Sequence, residues 1–313
     1  MTKIAFVFPG QGAQKIGMGQ DVAAEYPEAK KVYDDADARL GFSITAVITE
    51  GPIELLTKSE NAQPALVSTS VAILRALETY GVKADFVAGH SLGEYSALVA
   101  GGFLEASDAI YLVRKRGELM EAAVPNGKGA MAAVLGVDRD TLKAITDEVT
   151  AAGDAVQLAN LNCPGQIVIS GTTTGVLKAG EKAKENGAKR VLPLAVSGPF
   201  HSSLMEPAAL AFRGILAEVE ISDGQIPVVN NVDAKQTTDK AAISDKLIKQ
   251  IYSPVLWEDI VEELIKNGVD TFVEIGSGKV LAGLIKKINR DVTVLSAGDV
   301  ESVKSVAATL KGE

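Results

Sequence analysis

Short apolar runs alternate with stretches of helical period along almost the whole chain. That alternation predicts a mostly parallel sheet covered by helices on both faces. The first run, Ile4-Ala5-Phe6-Val7-Phe8, stops at Pro9 and reads as a buried strand. Pro9-Gly10-Gln11-Gly12 leaves its carboxyl end as a loop. Mostly helical segments follow to residue 80, and Asn61 is expected to cap the longest, with Pro64 in its first turn. Residues 85–88 read as a strand, and 92–101 and 105–123 as helices. Later strands are expected near 227–230, 271–275 and 292–296, with a final helix from about 300.

The middle of the chain follows another order. Residues 130–137 read as a strand, 139–149 as a helix, 155–160 and 166–170 as strands around Cys163-Pro164-Gly165, 173–186 as a helix and 189–194 as a strand. This β-α-β-β-α-β order is the ferredoxin-like one. Pro125-Asn126-Gly127 marks its entrance and Ser197-Gly198-Pro199 its exit. The expected fold is therefore α/β. A large α/β-hydrolase-like domain, residues 1–124 and 198–313, has a mostly parallel sheet, and a ferredoxin-like domain, 125–197, is inserted into it.

Composition narrows the function classes. The chain has 313 residues, 47% hydrophobic and 23% charged, as in ordinary globular proteins. A formal net charge of −9 argues against nucleic-acid binding. The N-terminal apolar run is too short for a signal-peptide core, and no later run approaches a membrane span. Cys163 is the only cysteine, which excludes an internal disulfide and fits a reducing cytoplasm. Two histidines and one cysteine offer no metal cluster, and neither a P-loop nor a dinucleotide-binding fingerprint is present. No cofactor is expected.

The chemistry concentrates at Gly89-His90-Ser91-Leu92-Gly93, which follows an apolar run and opens a helical pattern. Gly-x-Ser-x-Gly in a strand–turn–helix setting is a nucleophile elbow: the sharp turn exposes the serine hydroxyl. The first N–H groups of the next helix then face the atom that serine attacks. A serine hydroxyl needs a base, and histidine is the usual one near neutral pH. His90 adjoins Ser91 on a sharp turn and points elsewhere. His201, in a polar loop after the middle segment, remains as the base. An acid or a carbonyl would orient it, and 40 acidic residues do not single one out.

Two further residues stand out. Ala109, Leu112, Val113, Leu119, Met120 and Ala123 form one apolar stripe at helical spacing, and Arg116 lies in it. A core-facing guanidinium must be paired, either with an internal carboxylate or as a fork for a substrate carboxylate. Gln11, on the loop after the first strand, is expected to supply one oxyanion donor beside the Leu92 backbone N–H.

Taken in order, Phe8-Pro9-Gly10-Gln11-Gly12-Ala13-Gln14, Gln63-Pro64-Ala65, Gly89-His90-Ser91-Leu92-Gly93-Glu94-Tyr95, Arg116-Gly117, Asn160, Gly198-Pro199-Phe200-His201, Gln250 and Pro254-Val255 form a specific set. In them the chain closely resembles the malonyl-CoA:acyl carrier protein transacylases of bacterial fatty-acid synthesis and, more distantly, polyketide synthase acyltransferase domains. The resemblance spans nearly the whole chain. It implies Ser91 as the acylated nucleophile, His201 as its base, and the Gln11 and Leu92 N–H groups as the oxyanion hole. It implies Arg116 as the malonyl carboxylate's partner and the Gln250 carbonyl as what orients His201. Met120 and Phe200 are expected to line the acyl pocket, the bulky Phe200 leaving little room for an α-methyl branch.

The implied substrates are malonyl-CoA and the phosphopantetheine thiol of acyl carrier protein. Docking an acidic carrier on an acidic enzyme calls for a local basic face. Lys182, Lys184, Lys189 and Arg190 offer one run, and Lys279, Lys286, Lys287 and Arg290 another. The other readings are a serine thioesterase or esterase, a free-standing acyltransferase serving a polyketide synthase, and a non-catalytic scaffold.

Overall fold

The computed structural model describes every residue except Met1, Asn126 and Glu313. Asn126, in the expected turn at the entrance to the middle segment, thus lies outside the described residues. The fold is α/β with two sheets. The strands are β1 (Lys3–Phe8), β2 (Phe86–Gly89), β3 (Gly129–Leu135), β4 (Val156–Cys163), β5 (Gln166–Thr172), β6 (Arg190–Pro193), β7 (Val228–Val229), β8 (Gln236–Thr237), β9 (Val269–Ile275) and β10 (Thr293–Ala297).

The six-stranded sheet runs β10-β9-β1-β2-β7-β8. Its pairs are parallel except β7 with β8, so the sheet is mixed. β1 is central, which explains its unbroken apolar run. Phe6 and Phe8 enter the core on one face, while Ala5 and Val7 enter the core on the other. The short antiparallel β8 was not expected: two residues carry too little periodicity to read.

The four-stranded sheet runs β4-β5-β3-β6, antiparallel throughout. Helices Arg139–Ala151 and Thr173–Glu185 cover one face, packing on Ala132, Val134 and Ile169. Met131, Ala159 and Val168 point the other way, into the larger core. Backbone hydrogen bonds tie β4 to the segment between the helices Lys240–Gln250 and Trp257–Lys266, from Leu161 N–H to the Val255 carbonyl (2.9 Å) and from Val255 N–H to the Ala159 carbonyl (2.8 Å). A bidentate pair, Arg139 with Asp259, adds N–O distances of 2.9 and 2.8 Å.

One expectation is corrected. The long helix runs Ser59–Glu78, so Asn61 is its third residue rather than its cap, and Pro64 lies beyond the first turn. A proline there leaves the Glu60 carbonyl without its helical donor. Arg114 Nη1 donates to it at 3.0 Å and to Asn61 Oδ1 at 2.6 Å. Asn61 Nδ2 donates to the Leu55 carbonyl (2.9 Å). Tertiary contacts thus satisfy the carbonyl that Pro64 leaves free and occupy the Asn61 side chain.

Candidate active site

β2 feeds directly into the elbow. Gly89 and Gly93 are required by close approach: a Cβ on Gly89 would lie 1.9 Å from the Gly93 carbonyl carbon, and one on Gly93 would lie 2.1 Å from the Phe8 oxygen. Between them Ser91 holds a φ of 51°, a strained value for a side-chain-bearing residue. Asn231, just beyond β7, holds that turn. Its Oδ1 accepts from Ser91 N–H and its Nδ2 donates to the Gly89 carbonyl, both at 2.7 Å.

His201 meets Ser91 across 110 residues of chain, with Nε2 2.7 Å from Oγ. Its Nδ1 lies 2.8 Å from the Gln250 backbone carbonyl. A carbonyl only accepts, so Nδ1 carries the proton and Nε2 is left free to take one from Ser91. His201 also has a positive φ of 57°. Gln157 of β4 helps to hold it, donating to the His201 carbonyl (3.3 Å) and accepting from Ser203 N–H (2.9 Å). Burial and, after it, the Arg116 charge push the His201 imidazole down to about 3, so the ring rests neutral.

His90 turns away, as expected. Its Nε2 lies 2.8 Å from Asn162 Oδ1 and its ring centroid 5.6 Å from that of Trp257. Cys163 is buried, and that burial pushes its thiol up, as befits an inert cysteine.

Arg116 is 1% exposed. Among the described residues no carboxylate pairs with it directly. Nη1 donates to Gln63 Oε1 (2.8 Å), and Nη2 donates to Gln250 Oε1 (3.0 Å) and to Ser91 Oγ (3.2 Å). The Nε–H is buried without a partner among the described residues. A cation held by neutral amides beside the nucleophile is a ready anion site.

The backbone N–H groups of Gln11 and Leu92 have no acceptor among the described residues. Both residues line the same cleft as Ser91, and the Gln11 side chain donates to Ser59 Oγ (3.1 Å). The cleft encloses about 500 Å³ between the two sheets. Ser91, Arg116, His201, Met120 and Phe200 form one side, and Met131, Asn160 and Leu194 another. Gln250 and Gln63 stay behind the wall, Gln250 meeting His201 through its carbonyl and Arg116 through its side-chain amide, and Gln63 meeting Arg116.

Asn230, Asn231, Asn162 and Gln157 were not anticipated. The Asn230-Asn231 pair had a readable signal, since two amides follow the β7 run where parallel strands deliver functional residues. Gln157 and Asn162 had none, since each looks like the polar face of a half-buried strand.

Residues 5–311 match the acyl transferase domain family. The chain is 56% identical over 313 residues to the malonyl CoA-acyl carrier protein transacylase of Bacillus subtilis strain 168, covering 100% of this chain and 99% of that one. A solved acyl carrier protein S-malonyltransferase from Vibrio cholerae O1 biovar eltor superposes with a TM-score of 0.95 at 45% identity, covering 97% of this chain and 100% of that one. A malonyl-transacylase solved in complex with its holo type II PKS acyl-carrier protein matches with a TM-score of 0.95 at 42% identity, with each chain fully covered. With a serine, a histidine and an arginine so arranged, and a chain so closely related throughout, one assignment follows: it belongs to the acyl transferase family, among the malonyl CoA-acyl carrier protein transacylases.

Proposed function

We propose that this chain transfers the malonyl group of malonyl-CoA to the phosphopantetheine thiol of acyl carrier protein, by way of a malonyl-Ser91 ester. His201 Nε2 takes the Ser91 proton as Oγ attacks the thioester carbonyl. The Gln11 and Leu92 N–H groups receive the developing oxyanion. The thioester C–S bond breaks and coenzyme A leaves as its thiol, taking the proton from His201. In the second half His201 takes the proton of the carrier thiol, whose sulfur attacks the ester, and Ser91 Oγ leaves with that proton. A thiol, with a pKa of about 8.5, is a far easier leaving group than an amine. A neutral carbonyl on Nδ1 is then sufficient to orient the base.

The observation that carries this reading is the buried Arg116 fork, without a carboxylate partner, 3.2 Å from the Ser91 hydroxyl. A malonyl group has a carboxylate to place there, and an ordinary ester does not. Met120 and Phe200 border the acyl group, and Phe200 restricts α-branching. The four-stranded sheet, with its two helices on one face and order β4-β5-β3-β6, supports a ferredoxin-like insert at about 125–197. The elbow following β2 supports an α/β-hydrolase-like remainder, 1–124 and 198–313. No described helix is long and apolar enough to cross a membrane. We place the enzyme in the cytoplasm, acting without a cofactor.

The test is mass spectrometry of the intact protein after brief exposure to malonyl-CoA. One malonyl group should appear on the peptide containing Ser91, and acyl carrier protein should remove it. Loss to water at the same rate with or without carrier would make the protein a hydrolase instead.

A further inference from the structure

Behind Arg116 lies a buried carboxylate that the mechanism above does not use. Glu94, 1% exposed, follows the elbow in the helix Gly93–Ala100. Its Oε1 accepts from Asn230 Nδ2 (2.8 Å) and, at 3.4 Å, from Asn231 N–H. Its Oε2 accepts from Gln250 Nε2 (2.7 Å). Every partner is a donor. A protonated carboxyl would need an acceptor, and none faces it among the described residues, so the ionised form is the one its surroundings satisfy. Burial pushes its carboxyl up, while Asn230, Gln250, the Asn231 N–H and Lys246 pull it back.

Gln250 therefore stands between a cation and an anion. Its Oε1 faces Arg116, which can only donate, and its Nε2 faces Glu94, which in that form can only accept. The amide cannot flip without turning like against like at both ends. Nε2 also donates to the Ser91 carbonyl (2.9 Å), which fixes the plane of the amide against the elbow.

We infer that Glu94 is the counter-charge of Arg116 at one amide's remove, and that this indirect pairing keeps the guanidinium charged yet open to a substrate carboxylate. A direct ion pair would stabilise Arg116 equally and close the site. Gln63, on the opposite nitrogen, completes the neutral cradle. Glu94 and the Gln250 side chain are thus positioning residues for malonyl selection. The inference deepens the transfer reading above and rests on it.

The test moves the charge and leaves the rest. The double variant Glu94→Gln with Gln250→Glu keeps the net charge and nearly the same volume, and retains the backbone carbonyl that orients His201. Its carboxylate contacts Arg116 directly. Malonyl transfer should fall relative to acetyl transfer, by about a hundredfold in the ratio of kcat/KM values. An unchanged ratio overturns the inference. Should that variant fail to fold, the single variant Glu94→Gln decides. Without its balancing charge, Arg116 attracts the acyl carboxylate more strongly, so the KM for malonyl-CoA should drop about tenfold while that for acetyl-CoA does not. A merely structural role would instead leave KM unchanged or raise it for both substrates, and either result overturns the inference. Wild-type protein run alongside must form malonyl-Ser91. If it does not, the transfer reading itself fails, and this inference with it.

Discussion

The two walls of the cleft are built from different material. The wall on the six-stranded sheet carries Ser91, Arg116 and His201, held from behind by Gln63, Glu94, Asn231 and Gln250 through hydrogen bonds of 2.7 to 3.2 Å. The wall on the four-stranded sheet presents Met131 and Asn160 to the cleft, and its amides Gln157 and Asn162 reach across to backbone groups of His201, Ser203 and Tyr252 and to the His90 ring. Part of the difference follows from strand direction: Ser91 and Asn231 lie just past the carboxyl ends of the parallel β2 and β7, while Arg116 comes from the helix Ala106–Ala122 and Gln250 from the end of the helix Lys240–Gln250. Parallel strands deliver all their carboxyl ends to one edge, so loops far apart in sequence converge there. Antiparallel strands send their ends to both edges and present a flat face. In the reaction proposed above, one wall reacts; the other shapes the space and closes it.

Substitutions at the reactive wall should break this contrast most sharply. Ser91→Ala should abolish the malonyl-enzyme adduct and lower kcat by at least about 10⁴-fold, as measured by steady-state transfer to carrier protein. His201→Ala follows, at about 10²- to 10⁴-fold for loss of a general base, with the adduct forming slowly in single-turnover experiments. Arg116→Ala comes next. Losing one partner of a buried pair costs about 3–5 kcal/mol, so malonyl should lose two to three orders of magnitude against acetyl, at about 1.4 kcal/mol per tenfold. A transfer assay that returns the wild-type malonyl-to-acetyl ratio would remove Arg116 from its role.

A pH profile sharpens the picture by a smaller step. The His201 imidazole is held down to about 3, so it stays neutral in the free enzyme well below the usual histidine range. Serine acylation should therefore show no loss of activity near pH 6.5. The corresponding stability change has a definite sign. Between pH 6.5 and about 3 the unfolded chain binds a proton there that the folded chain does not, so this contribution falls as pH falls through that window. Arg116→Ala removes one cause of the depression and should move the acid limb upward. The smallest effect belongs to the other wall. Asn162→Ala strips His90 of a hydrogen bond and should cost about 1 kcal/mol of stability, with kcat changed less than tenfold; thermal melts beside the transfer assay check both. A larger loss of kcat there than in Arg116→Ala would erase the distinction between the walls.

Much of the fold is legible along the chain because its signals are local. β1 is apolar on both faces and stops at a proline, the elbow glycines permit a backbone approach that no other residue allows, and the segment from β3 to β6 carries its own order. The failures are equally physical. Asn61 is a good cap in isolation, yet its side chain serves Leu55 and Arg114 from inside the helix. β8 is too short to show a period. Arg116 could be recognised as anomalous from its apolar stripe, but its partners could not be named, since Gln63 and Gln250 lie 53 and 134 residues away.

The sequence by itself singled out the elbow serine, the second histidine and the misplaced arginine, because each breaks a local pattern of spacing or polarity. Only the tertiary structure decided what those residues face. A carbonyl rather than a carboxylate stands behind His201, neutral amides rather than an acid hold Arg116, and an asparagine from the next loop secures the strained serine. Such pairings are set by how helices, loops and strand ends far apart in sequence pack together in space, and long-range contact leaves no periodic trace in the order of residues.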